Sequence, residues 1–231
     1  MIQFGRNNES RRLQWLRTTL AAVADGERVL DAGAGELRNR AFCGHLQYVS
    51  QDFCQYEGRG DGVALQTQTW DTSRIDIVSD ITAIPEPDAS FDVVLCTEVL
   101  EHVPNPVVAF REFVRLLRPG GKMILTTPFC SLTHFAPFHF SSGLSRYWYE
   151  KQALDVGCSV LELTPNGGWL DFIAQELWRL PWIGRTYSSR LLGWLAFASS
   201  LPLMLVMRCM ATMDRGSSEL LTFGWLAVIR K

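Results

Sequence analysis

Val29-Leu-Asp-Ala-Gly-Ala-Gly35 runs from a short apolar stretch beginning at Arg28 straight into two glycines. Aliphatic residues that end in a glycine loop predict a strand feeding a turn or helix. Glycines there let backbone N–H groups approach a ligand closely. The loop fails as a dinucleotide fingerprint, because the third glycine of G-x-G-x-x-G would fall on Arg38. Outward from this point, short apolar runs alternate with helical patterns, the signature of a parallel α/β sheet. Leu13, Leu16, Leu20 and Val23 recur at helical spacing and stop at Asp25-Gly26. Strands are expected over 46–52, 74–79 and 91–97. The last of these, FDVVLCT, is apolar enough to be covered on both faces.

Asn105-Pro106 then places a capping side chain and an N1 proline at a helix start, with Val107, Phe110, Val114 and Leu117 as its buried stripe. Pro119-Gly120-Gly121 is expected to end that helix, and 122–127 to form a fifth strand. A helix over 144–156, a strand over 159–163 and a final strand over 221–229 complete the pattern. The expected fold is doubly wound: a seven-stranded, mostly parallel, Rossmann-like sheet with an antiparallel last strand. The chain reads as one domain over 1–231, with a core of about 10–165 and 219–231. An apolar helical insertion occupies about 169–215.

With 231 residues, 47% hydrophobic and 20% charged, the chain can build a sizeable core and is too apolar for a disordered protein. Its 22 basic and 24 acidic residues leave a net charge of −2, which argues against a nucleic-acid coat. The six cysteines never approach C-x-x-C spacing, so reduced thiols are expected rather than a zinc ribbon. The opening MIQFGRNNESRR is polar, with no apolar run of the kind a secretory signal needs. A cytoplasmic protein is expected.

Three acids fall at three expected strand ends: Asp31, Asp52 and Asp80. A carboxylate at the second strand end can accept from both hydroxyls of a ribose. An acid before the first glycine suits a cofactor that is cationic and lacks phosphates. S-adenosyl-L-methionine, with its ammonium, sulfonium, ribose and adenine, fits that description.

Four stretches resemble the class I S-adenosylmethionine-dependent methyltransferases of the small-molecule group. They are VLDAGAG (Val29–Gly35), YVSQD (Tyr48–Asp52), SFDVVLCTEVLEHV (Ser90–Val103) and LLRPGGKMILTTP (Leu116–Pro128). The resemblance covers about Arg28 to Pro128. It implies that Asp31, Gly33, Ala34 and Gly35 hold the methionine end and that Asp52 binds the ribose. It also implies that Asp80 and Ile81 flank the adenine, and that Thr97 and Glu98 close the pocket. S-adenosyl-L-homocysteine would be the product. Leu37 departs from the family loop, which often has a small residue there.

Methyl transfer from a sulfonium needs alignment and exclusion of water; a base is needed only for a hydroxyl or protonated-amine acceptor. The candidates are His134 and His139 in THFAPFHF, and His102 after Glu101; His45 has no supporting context. These groups lie on separate segments, and no metal is expected. Phe129, Phe135, Phe138, Phe140, Tyr147 and Trp148 would line a pocket for a small, partly hydrophobic or lipid-linked acceptor, with O-methylation favoured.

Leu191 to Met207 carries no charge over 17 residues, about 26 Å as a helix, short of a bilayer core of roughly 30 Å. If 221–229 rejoins the sheet, the insertion must begin and end on one side of any bilayer. That leaves residues 186–215 as a lid, a homodimer surface or a peripheral contact with the inner face of a membrane. Three other functions compete. A nucleic-acid methyltransferase would want a basic groove or an Asn/Asp-Pro-Pro-aromatic motif where this chain has CTEV. A nicotinamide oxidoreductase would want the missing third glycine. A cofactor-binding module that docks a partner or membrane would bind cofactor without turnover.

Overall fold

The computed structural model describes residues 4–62, 64–67 and 69–231. The chain divides into two compact units: Gln14–Thr164 with Gly224–Lys231, and the residues up to Leu13 with Pro165–Phe223.

The larger unit is built on one sheet. Its strands are β1 (Arg28–Ala32), β2 (Gln47–Asp52), β3 (Ile77–Val78), β4 (Phe91–Thr97), β5 (Leu117–Pro128), β6 (Ser159–Pro165) and β7 (Gly224–Arg230). The order is β3-β2-β1-β4-β5-β7-β6. The pairs from β3 through β5 are parallel, and β7 runs antiparallel to β5, with Lys122 opposite Arg230 and Thr127 opposite Trp225. The seven expected strands and the antiparallel last strand are therefore present.

Alternation along the central strands explains why both faces are covered. Val94 and Cys96 of β4, with Met123 and Leu125 of β5, join one core that includes Phe110 and Phe113 of α2 (Pro106–Leu116) and Tyr149 of α3 (Arg146–Asp155). Val93, Leu95 and Ile124 face the opposite core, packed by Leu16 and Leu20 from α1 (Asn8–Ala21). Each fully buried Phe or Leu here contributes about 1.5–3 kcal/mol.

Three expectations on local structure are corrected. The buried stripe of α2 is Ala109, Phe110, Phe113 and Leu116, with Val107 and Val114 only half-buried, because the helix is rotated toward α3 and the sheet. Pro119-Gly120-Gly121 does not lie between helix and strand. β5 begins at Leu117 opposite Phe91 and resumes at Lys122 opposite Val93, so the Pro-Gly-Gly turn bulges out of the strand. β3 shrinks to Ile77–Val78, because the Asp76 carboxylate accepts from the Ser50 N–H at 2.9 Å and its hydroxyl at 2.6 Å.

The smaller unit is a helical hairpin, α4 (Trp169–Tyr187) and α5 (Arg190–Ala211). The two backbones touch at Gly184 and Gly193: a Cβ on Gly184 would lie 2.6 Å from the Gly193 Cα. α5 buries only a seam of Gly193, Ser200, Met204 and Met207, and exposes Leu191, Leu192, Trp194, Leu195, Leu203 and Val206. The helix runs 22 residues through Pro202, about 33 Å, so the expectation that this segment is too short for a bilayer does not hold. Among the described residues, α5 is long and apolar enough to cross a membrane by length and composition.

Candidate functional site

The strand order reverses between β1 and β4, and open α/β sheets bind ligands beyond the carboxyl ends of strands at such a point. The glycine loop sits there. Gly33 and Ala34 donate their N–H groups to the Gln51 carbonyl at 2.9 and 2.8 Å, and Gly35 donates to the Asp52 carboxylate at 3.0 Å. Gly33 has φ +75°, and a Cβ on it would meet both γ-methyls of Val99 at 2.6 Å. The loop continues through Leu37, which holds φ +62° with its side chain buried. The departure noted at Leu37 is thus accommodated by a strained left-handed residue anchored in the core.

The structure separates the three acids. Asp52 closes β2 with its second oxygen accepting the Cys54 N–H at 2.8 Å. Asp80 is exposed and caps its own turn, accepting from the Thr82 N–H and hydroxyl. Those bonds hold its carboxyl below the usual range. Ile81 packs into the core. Asp31 is fully buried and turns inward: its carboxylate accepts from the Tyr48 hydroxyl at 2.6 Å and the Asn39 amide at 3.2 Å. Both Asp31 carboxylate oxygens are thus engaged from within the fold. Burial pushes its pKa up to about 6, against the lowering effect of Tyr48 and Asn39.

Asn39 escaped the sequence reading. Its amide also donates to the Thr97 hydroxyl at 3.0 Å and so ties the end of β1 to the end of β4. Nothing in the spacing marks it. Glu98 follows at φ +53°, with its carboxylate accepting from the Thr126 hydroxyl at 2.9 Å.

Two irregular segments meet over this edge. Leu65 and His134 form a parallel bridge, with Phe135 donating to the Leu65 carbonyl at 2.9 Å. The contact assembles a ring cluster. Tyr56 lies 4.7 Å from Phe135 and 5.0 Å from Trp70; Trp70 lies 5.3 Å from Phe135; Phe53 lies 5.0 Å from Phe138. The Trp70 ring also rests against Gly35. Of the six aromatics expected to line a pocket, Phe135 and Phe138 belong to this cluster, and Phe140 is exposed. Phe129 and Trp148 pack on the core instead, Trp148 at 5.6 Å from Phe110, and Tyr147 is exposed beside Arg146. A helix periodicity carries Tyr147 and Trp148 away from the sheet edge. Phe53, Tyr56 and Trp70 were missed, since the long connection after β2 has no periodic pattern to place them.

His102, His134 and His139 come together although they lie on separate segments. The ring centroids of His102 and His134 are 4.6 Å apart, and those of His134 and His139 5.0 Å. The Glu101 carbonyl accepts from Phe140 and Ser141, which draws the two loops together. Burial, with His134 and His139 close by, depresses His102 to about 4, so its imidazole is neutral at physiological pH. Burial also lowers His139.

A family profile described as a methyltransferase domain matches residues 30–125. Over that stretch the chain is similar to the methyltransferase domain family. A ubiquinone biosynthesis O-methyltransferase of Ralstonia nicotianae is 33% identical over 125 residues, 50% of this chain and 48% of that relative. The chain spans less than half the length of the curated relatives it matches first, from 22% to 48%. Among solved structures, the [4+2]-cyclase SpnF superposes with TM-score 0.56 at 19% identity, over 96% of this chain and 80% of that one. A S-adenosylmethionine-dependent methyltransferase from Mesorhizobium loti gives 0.55 at 14% identity, over 96% and 98%. These two show the fold; a fold does not assign its chemistry.

The donor set at this sheet edge fits S-adenosyl-L-methionine. Gly33 and Gly35 supply the close backbone approach, and the Asp52 carboxylate keeps acceptor capacity for a ribose beyond its two N–H bonds. Arg38, where a dinucleotide site would have glycine, pairs outward with Glu36 at 3.2 Å.

Proposed function

We propose that this chain is an S-adenosylmethionine-dependent O-methyltransferase for a small, partly hydrophobic acceptor bearing a ring hydroxyl. The observation that carries this reading is the meeting of two groups of residues at one sheet edge. The glycine loop and Asp52 form a cationic-cofactor site, and the Tyr56–Trp70–Phe135 ring cluster with its three imidazoles stands beside it. When bound, S-adenosyl-L-methionine supplies an electrophilic methyl group on a sulfonium. The chain's part is alignment: Gly33 and Ala34 are pinned to Gln51, so the loop is rigid before ligand arrives. The ring cluster excludes water, and His134 or His139 is placed to take the hydroxyl proton; His102, held near 4, is too weak a base at neutral pH.

Calorimetric titration with S-adenosyl-L-homocysteine, with NAD as control, tests the cofactor. Transfer of a labelled methyl group to a panel of phenols, amines and acids tests the acceptor. Micromolar homocysteine-ligand binding with transfer to phenols is the expected result. Binding without transfer to any acceptor favours a docking module that has no catalysis.

The same reading takes the α4–α5 hairpin as a peripheral contact with a lipid surface through which an apolar acceptor is reached. The support is the exposed apolar face of α5, rimmed by Arg185 and Arg190 at the hairpin turn and Arg208 near its base, the composition of an interfacial helix. Sedimentation with anionic vesicles, set against neutral ones, tests it. Binding lost in Leu191→Glu/Leu195→Glu is expected; a concentration-dependent dimer without vesicle binding would replace it with a homodimer surface.

A further inference from the structure

The three imidazoles do more than neighbour one another. One nitrogen each of His102, His134 and His139 lies within 4.8 Å of the others. The Nδ1 of His102 is bonded to the Phe138 carbonyl at 2.6 Å, and the Nδ1 of His134 to the Leu132 carbonyl at 2.8 Å. A carbonyl accepts, so each Nδ1 carries the proton and each Nε2 presents a lone pair. A metal-ligating imidazole is oriented in the same way, its other nitrogen donating to a carbonyl or carboxylate. Both Nε2 atoms converge on one carboxylate oxygen, Glu101 Oε1, at 3.7 Å from His102 and 3.9 Å from His134.

A second observation is independent of that geometry. Among the described residues, His102 Nε2 and His139 Nδ1 are buried with no hydrogen-bond partner. Native proteins rarely leave such an atom uncompensated.

We propose that His102, His134 and His139, with Glu101, form a divalent transition-metal site at the acceptor end of the cleft. Three neutral imidazoles and one carboxylate suit Zn2+ and its first-row neighbours rather than Mg2+ or Ca2+. Bonds of about 2.0–2.1 Å would draw the nitrogens in by roughly 1 Å, a rotation of side chains on loops. The site's role rests on the O-methyltransferase reading. The cation would replace His134 and His139 as the means of deprotonation: a hydroxyl bound to it would lose its proton to solvent near neutral pH, and the resulting oxyanion would be the nucleophile.

The test uses the full chain stripped with chelator and titrated with Co2+, whose visible ligand-field absorption reports imidazole coordination. One Co2+ per chain, displaced by one equivalent of Zn2+, is expected. Affinity should fall at least tenfold in His134→Ala and in His139→Ala and stay unchanged in His45→Ala. S-adenosyl-L-homocysteine titration of each variant reports the intact fold. Absence of stoichiometric Co2+ binding at micromolar concentration, or equal binding by the His134→Ala/His139→Ala double variant, overturns the site. Metal binding without homocysteine-ligand binding would instead overturn the methyltransferase reading and leave the metal site standing.

Discussion

The Asp52 carboxylate accepts the Gly35 N–H at 3.0 Å, so the end of β2 and the loop after β1 form one hydrogen-bonded unit. The group expected to meet the ribose is therefore also the group that sets the loop.

Asp52→Ala and Asp52→Asn separate the two roles. Alanine strands the Gly35 and Cys54 donors and removes the ribose acceptor. It should lower urea stability by about 1–3 kcal/mol and weaken S-adenosyl-L-homocysteine at least a hundredfold. Asparagine keeps one acceptor oxygen, so it should cost less stability while still weakening the ligand. Equal ligand affinity in wild type and Asp52→Ala, read by calorimetry, would remove Asp52 from the cofactor site.

Asp31 makes the stability depend on pH. Its pKa is about 6 in the folded chain and about 3.9 when unfolded. Between those values the folded state holds the proton more tightly, so this group's contribution falls as pH rises and levels off above 6. Two pKa units correspond to at most about 3 kcal/mol. The stability difference between Asp31→Asn and wild type should therefore move in favour of the variant from pH 4.5 to pH 7, by about 1–3 kcal/mol. A difference that is flat across that range in urea titrations would show that the buried acid stays ionised.

Gly33 tests the loop's close approach. In Gly33→Ala the new methyl meets Val99 at 2.6 Å and the residue keeps φ +75°. Loss of cofactor binding and a stability cost above 2 kcal/mol are expected. Adding Val99→Ala relieves the collision and leaves only the left-handed strain of about 1–2 kcal/mol. The double variant should thus be less destabilised than the sum of the single ones, as a double-mutant cycle would show.

Much of this architecture was legible in the chain because it is local or periodic. Phe91–Thr97 reads as a two-faced buried strand, and Asp31–Gly35 as a glycine loop at a strand end, since strand alternation and loop chemistry are written in adjacent residues. The Pro-Gly-Gly bulge was misplaced because register depends on the partner strand: Lys122 finds Val93 only in the assembled sheet. The site was half legible. Phe135 and Phe138 lie in a loop directly after β5, whereas Tyr56 and Trp70 come from a segment with no periodicity. The histidines meet through backbone bonds from Phe140 and Ser141 to Glu101, which no side-chain pattern encodes.

Trp70 gives the cleft a reporter. Its ring rests on Gly35 and between Tyr56 and Phe135, with its indole N–H buried and without a hydrogen-bond partner among the described residues. A ligand against the glycine loop must alter that packing. S-adenosyl-L-homocysteine should change the tryptophan emission of the wild type, and Trp70→Phe should lose most of the change while still binding in the calorimeter. An unaltered emission response in Trp70→Phe would place the ligand away from Gly35.

Leu37 inverts the usual ranking of alanine and glycine. At φ +62° any L-residue carries about 1–2 kcal/mol of strain, which the burial of the leucine side chain offsets by about 1.5–3 kcal/mol. Leu37→Ala keeps the strain and loses the burial. Leu37→Gly loses the burial and sheds the strain, less about 0.5–1 kcal/mol of extra chain entropy. The expected order of urea stability is wild type, then Leu37→Gly, then Leu37→Ala, with the last down by 2 kcal/mol or more. At an ordinary exposed position alanine would rank above glycine, so an alanine variant more stable than the glycine one would mean that residue 37 does not hold the left-handed conformation.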